Sequence, residues 1–186
     1  QVPPSVSVLG AFSFNDAVAF PWFAPAGFAR GSMNASSISV NLNQDNLDDL
    51  NEKSINPIVS FPNSQGPVVF GQRTLQAAAS ALDRVNVRRL LIDVRRSVKQ
   101  VAQQLIFEPN REATLQRFTA LVTPIMKRVQ QNQGIDRFKV IIDSSTTTQA
   151  DIENNTVRGK IFLQPNRTAE FISLDFVVTN SGVEGL

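Results

Sequence analysis

The sequence predicts an α+β fold in which two long helices pack on one face of a mostly antiparallel sheet. Three observations lead there. Short β-prone runs occupy the first 75 residues, two consecutive amphipathic stretches fill the middle, and three further alternating runs follow. Strands, then a helix pair, then strands is an order that lays helices on one side of a sheet. With 186 residues and 42% hydrophobic content, one core is expected. Residues 1–186 read as a single domain.

Val2 to Phe14 alternates imperfectly after Pro3 and Pro4, which suits an edge or first strand. From Ala19 to Gly31 the prolines and glycines prevent a long helix and leave Phe20, Trp22 and Phe23 to anchor a loop on the core. Ile38, Val40 and Leu42 alternate as a strand does. Asn43 to Lys53 then carries Leu47 and Leu50 at helical spacing. Its acids Asp45, Asp48 and Asp49 could suggest calcium, but the glycine and closing glutamate of an EF-hand loop are missing, so a solvated helix start is favoured. Ile55 to Phe61 and Val68 to Thr74 read as two strands joined through Pro62 to Gly66.

The strongest periodicity is Val87, Leu90, Leu91, Val94, Val98, Val101, Ala102 and Leu105, one apolar stripe of a helix that ends before Pro109. The other faces are mostly basic, with Arg88, Arg89, Arg95, Arg96 and Lys99. They face water or meet an acidic partner, water being the simpler account. Asn110 is positioned to cap a second helix with the stripe Phe118, Leu121, Val122, Ile125, Met126 and Val129, terminated by Gly134. Pro124 lies inside it and is expected to kink or divide it. Phe138 to Asp143, Thr156 to Gln164 and Glu170 to Val178 read as strands, the last with Ile172, Leu174, Phe176 and Val178 on one face. Ser144 to Asn155 is a polar link. Asn180 to Leu186 is small and polar, so both ends look like places where a longer chain enters and leaves.

The missing residue types exclude much chemistry. With no histidine and no cysteine, the usual general base, the Ser-His and Cys-His pairs, the commonest zinc ligands and disulfides are all removed. Gly66 and Gly71 are followed by Gln72 and Arg73 rather than Lys-Ser/Thr, so there is no phosphate-binding loop, and no dinucleotide fingerprint occurs. No apolar run approaches the roughly 18 residues of a membrane span, and Gln1 to Gly10 is no signal peptide. The pI near 9.4 accompanies a net charge of only +2, because little titrates between the carboxylates and the lysines. It is weak evidence for nucleic acid. No catalytic carboxylate can be named, and no cofactor or metal is expected.

Several local motifs, in order along almost the whole chain, resemble the contractile-tail sheath family of phages, R-type pyocins and type VI secretion systems. They are Pro3-Pro4-Ser5-Val6; Trp22-Phe23-Ala24-Pro25-Ala26-Gly27; Ile55-Asn56-Pro57-Ile58; Val68-Val69-Phe70-Gly71-Gln72-Arg73-Thr74-Leu75; Val87-Arg88-Arg89-Leu90; Phe107-Glu108-Pro109-Asn110; Asp151-Ile152; and Pro165 with Ala169-Glu170-Phe171-Ile172. The phage branch, including large myoviruses, is the most similar. Family members have a longer N-terminal portion and terminal arms, so the sequence looks like a fragment.

The resemblance implies a non-enzymatic structural subunit of a virion tail, assembled in the host cytoplasm. It implies a helical homopolymer around a tail tube, met by baseplate and tail terminator proteins, with neither membrane insertion nor nucleic acid. Arms from neighbours would add strands to each core sheet. The expected joints are the strands Glu170 to Val178, with Ile172, Leu174 and Phe176, and Val2 to Leu9. The Arg88, Arg89, Arg95, Arg96 and Lys99 surface would meet the tube or a neighbour. The competing reading is a nucleic-acid or protein binding module that uses the basic helix.

Overall fold

In the computed structural model, residues 3–170 are described, apart from 63, 65 and 144. The segment expected to be a first strand is a helix, α1 (Pro4–Val18). Pro4 occupies the first helical turn, where its fixed φ is preorganised and its missing N–H leaves nothing unpaired. The amide of Ala19 closes the helix on the Asn15 carbonyl at 2.9 Å. The described part of the expected Val2 to Leu9 strand, Pro4 to Leu9, is therefore helical and offers no strand for pairing. A four-residue turn, α2 (Gly27–Arg30), follows the aromatic loop.

Ile38 to Leu42 forms no strand, since nothing among the described residues pairs with it, and Val40 is exposed. It leads into α3 (Gln44–Glu52), where the expected short helix is found. Asn43 accepts from the Asn46 amide at 2.9 Å while the Asn46 side chain accepts from the Asn43 amide at 3.2 Å. These bonds satisfy two of the orphan donors at a helix start. The expected hairpin is present but short: β1 (Ile58–Val59) pairs antiparallel with β2 (Val68–Val69). Gly31 lies against it so closely that a Cβ would stand 2.7 Å from the Val69 carbonyl oxygen, which admits only glycine.

After a 3-10 turn at Ala81–Asp83 come the two long helices, α4 (Val85–Gln104) and α5 (Glu112–Gln131). Arg111, not Asn110, is the N-cap of α5, and no side chain caps it. Pro124 does not divide α5, which is continuous. Ala120, the residue whose carbonyl loses its partner, is exposed, so water can satisfy that oxygen.

The chain then forms β3 (Ile135–Ile141), a short helix α6 (Gln149–Glu153) inside the expected polar link, and β4 (Lys160–Pro165). β3 and β4 pair antiparallel, Phe138 opposite Leu163 and Val140 opposite Ile161. Those four side chains share the inner face and pack on the helices. Lys139 and Phe162 alternate outward, as a half-buried ribbon requires.

The core is the seam between α4, α5 and this ribbon: Leu90, Val94, Val101, Val122, Met126, Val129 and Ile135, joined from the N-terminal side by Trp22. The stripe residues predicted for both helices supply most of it. Trp22 stacks on Phe20 with centroids 4.9 Å apart and donates its indole N–H to the Asn132 carbonyl at 2.9 Å. Gly134 makes room for it: a Cβ there would lie 3.1 Å from the indole ring and 2.7 Å from Val129. The aromatic loop is thus anchored on the core, as its composition suggests.

Candidate interaction surfaces

Helical spacing separates the five basic residues of α4 into two roles. Arg88, Arg95 and Lys99 follow one another at seven and four positions, so with Ile92 they form one stripe along the helix. Arg96 borders it. All four cations are exposed, and Ile92, in their midst, is 56% exposed. None of the four forms an ion pair among the described residues. Like charges held this close on one face raise the local potential and attract an acidic surface.

Arg89 departs from the expectation. It lies about 100° around the helix from Arg88, facing α1. Its Nη2 donates to both Asp16 carboxylate oxygens, and its guanidinium sits 5.1 Å from the centre of the Phe12 ring. Its side chain is only 16% exposed, so it serves the chain's own packing. Ile172, Leu174 and Phe176 lie outside the described residues.

Two apolar surfaces escaped the sequence reading. Phe28, Phe61 and Phe70 form a cluster with centroids 5.0 to 6.4 Å apart, although Phe28 is 59% exposed and Phe70 42%. Nothing in their spacing links them, and only the count of 13 phenylalanines hints at such a surface. The second is a cleft of about 880 Å³ between the α4–α5 connection and the β3–β4 ribbon, lined by Leu105, Phe107, Phe118, Val157 and Ile161 among others. Phe107 at its mouth is fully exposed, with a left-handed φ of 73°. That conformation is costly for a phenylalanine.

The acidic groups are arranged for structure. Asp151 accepts from Arg158 Nε at 2.7 Å and, through its other oxygen, from the Thr148 hydroxyl and amide at 2.8 and 3.1 Å. The Arg158 bond first, then those from Thr148, hold its carboxyl at about 2. The Asp143 carboxyl is also lowered, chiefly by the Ser145 hydroxyl. On α3, Asp49 pairs with Lys53 at 2.7 Å and Asp48 accepts from Gln44 at 3.0 Å. Among the described residues no three acids are placed to hold a metal, and no helix is long and apolar enough to cross a membrane. No aromatic side chain stands in α4, so the basic stripe lacks the stacking platform of a single-strand nucleic-acid site.

Residues 77–179 match the family described as the phage tail sheath C-terminal domain. The tail sheath protein of Vibrio phage KVP40 is 32% identical over 184 residues, 98% of this chain and 27% of that protein. That of Enterobacteria phage T4 is 28% identical over 98% of this chain and 28% of its own length. The chain therefore spans less than a third of these relatives. Among solved structures, a chain of the anti-feeding prophage baseplate superposes with a TM-score of 0.85 at 28% identity, over 95% of this chain and 50% of that one. A chain of the same particle's helical sheath in the contracted state gives 0.82 at 29% identity, over 94% and 50%.

Proposed function

The chain belongs to the phage tail sheath C-terminal domain family, and on that premise we propose that it is the core of a contractile-tail sheath subunit. The observation that carries this is the likeness, over 94% of the chain, to a subunit of a contracted helical sheath. Residues 1–186 act as one domain of a longer subunit. It polymerises with copies of itself around a tail tube in the virion tail, after assembly in the host cytoplasm. The baseplate and a tail terminator bound the polymer.

The work is mechanical and needs no catalytic step, cofactor, nucleic acid or membrane insertion. A sheath has two packings of the same subunits, and a small free-energy difference per subunit sums over the polymer. Packed interfaces of that kind switch between discrete arrangements rather than deform continuously. The α4–α5–ribbon core is suited to move as a rigid body. Arms from neighbours carry the connections, with the segment through Ile172, Leu174 and Phe176 as one such joint.

The exposed stripe of Arg88, Arg95, Arg96 and Lys99 is the contact to the tube or to a neighbour. Its test is charge reversal in the longer parent chain, Arg88→Glu with Arg95→Glu and Lys99→Glu, followed by co-sedimentation with tubes. We expect the variant to keep its melting temperature and lose tube binding, as the wild type does when salt is raised. Unchanged binding and assembly would return the stripe to the role of a solvated face.

A further inference from the structure

The last turn of α1 and the C-terminal end of the described chain are tied to the same place. Arg84, at the N-cap of α4, donates its Nε–H to Glu170 Oε1 at 2.8 Å, and Gln72 donates its side-chain amide to the same oxygen at 3.1 Å. Two residues on, Asn86 donates to the Thr168 hydroxyl at 3.1 Å. One turn later Arg89 grips Asp16 with one guanidinium nitrogen. Residues 84 to 89 thus hold α1 on one side and the 168–170 segment on the other. Upstream, Asn166 is fixed by the Gln133 and Gly134 carbonyls at 2.9 and 3.2 Å.

The chemistry of this belt is unusual for the molecule. Asn86 and Gln72 are each 95% buried at 5% exposure. Five buried side-chain atoms have no partner among the described residues, Asn15 Oδ1, Gln72 Oε1, Arg73 Nε, Asn86 Oδ1 and Arg89 Nη1, while Arg84 Nη1 makes no hydrogen bond but is ion-paired with the Asp83 carboxylate at 3.0 Å. All belong to this belt. Arg73 lies beside Arg84, bridged to it through the backbone, and Asn15 precedes Asp16. Leaving buried polar groups unpaired is costly, and apolar packing would hold the two segments more cheaply. A polar tie differs in being directional: it fixes one register and can be released as a unit, whereas apolar surfaces slide.

We propose that the first turns of α4 form a polar yoke that fixes where the base of α1 and the chain beyond Glu170 leave the core. Glu170 and Asp16 are its positioning residues. The inference rests on the sheath reading, because it is in a polymer linked by terminal arms that the exit points of the arms set subunit register. A pull on the chain beyond Glu170 enters α4 through Arg84 and Gln72, and a pull on α1 enters it through Arg89, so both loads reach the same helix.

The test uses Glu170→Gln and Asp16→Asn, which keep shape and remove charge, in this chain and in the longer parent. Trypsin cleavage after the exposed Arg167 reports release of the 168–170 side, and hydrogen exchange in residues 4–18 reports release of α1. Glu170→Gln should speed cleavage at Arg167 by about tenfold without changing exchange in α1, since one charge-assisted hydrogen bond is worth about that factor in local opening. Asp16→Asn should do the reverse. Parent sheaths of either variant should be shorter or irregular in electron micrographs while the fold still melts cooperatively. Unaltered cleavage and exchange would overturn the yoke. So would released segments in sheaths as regular as wild type. A wild-type parent that forms no sheath would instead overturn the sheath reading, and the cleavage result separates the two failures.

Discussion

Residues 85–165 and residues 3–80 are held together by different means. The first region buries one side of each long element: Leu90, Val122, Met126 and Val129 are at most 1% exposed, and the β3–β4 ribbon closes over them. Its contacts come from helical and strand repeats. In the second, burial is confined to a small cluster around the two-residue hairpin, with Val59, Val68, Val69 and Met33, while α1 buries only Ala11 and Asn15 and α3 buries nothing. That region is placed by single long-range contacts, Trp22 to Asn132 and Arg89 to Asp16 among them. A surface of distributed apolar contact makes a rigid body, whereas a region placed by point contacts can be moved by changing one residue.

Trp22→Ala should show the largest effect. It removes a buried aromatic and a hydrogen bond that join the two regions, a loss of about 3–5 kcal/mol in urea unfolding. The cost should be accompanied by protease cuts in residues 3–80 at denaturant levels where α4 and α5 still hold. Met126→Ala, wholly inside the helical region, should cost about 2–5 kcal/mol and lower the single transition without preferential loss at the N-terminal side. If Trp22→Ala also unfolded everything at once, the two regions would be one cooperative unit. Arg89→Met should cost about 1 kcal/mol, because Asp16 is partly solvated and such pairs contribute little, and its effect should be seen mostly as faster exchange in α1.

Acid offers a finer probe. The Asp151 carboxyl titrates at about 2 in the folded chain against an ordinary value of 3.8. A depressed pKa stabilises the folded form above the ordinary value, and that contribution fades as pH falls from about 4 towards about 2. Asp151→Asn should flatten the pH dependence of the melting temperature in that window and leave it unchanged at pH 7 apart from a constant offset. The smallest effect on stability belongs to the α4 stripe: reversing Arg88, Arg95 and Lys99 singly should shift stability by less than about 0.5 kcal/mol.

Periodic stretches were legible because burial on one face imposes a repeat. The stripes of α4 and α5, the β3–β4 alternation and the short helix over 44–52 follow from spacing alone. Pro3 and Pro4 misled the reading of the first segment: a proline pair is compatible with an edge strand and with a helix start, and the partly exposed apolar residues of α1 gave no 3.6-residue repeat to decide it. Ile38, Val40 and Leu42 alternate, yet a strand needs a partner that spacing cannot supply. Among the basic residues, charge was legible but orientation was finer than the reading. Arg88 and Arg89 are neighbours in sequence, and only the 100° turn between them, together with the position of Asp16, sends one outward and one inward. The tie from Glu170 to Arg84 and Gln72 joins residues more than 80 apart and left no local pattern.

The central claim is that this core belongs to a polymerising sheath subunit, and negative-stain electron microscopy of the longer parent chain tests it most directly. The parent should form hollow tubes of regular width, and residues 1–186 alone at equal concentration should stay dispersed. A parent that remains dispersed across salt concentrations and under crowding, with its fold intact by circular dichroism, would contradict the account.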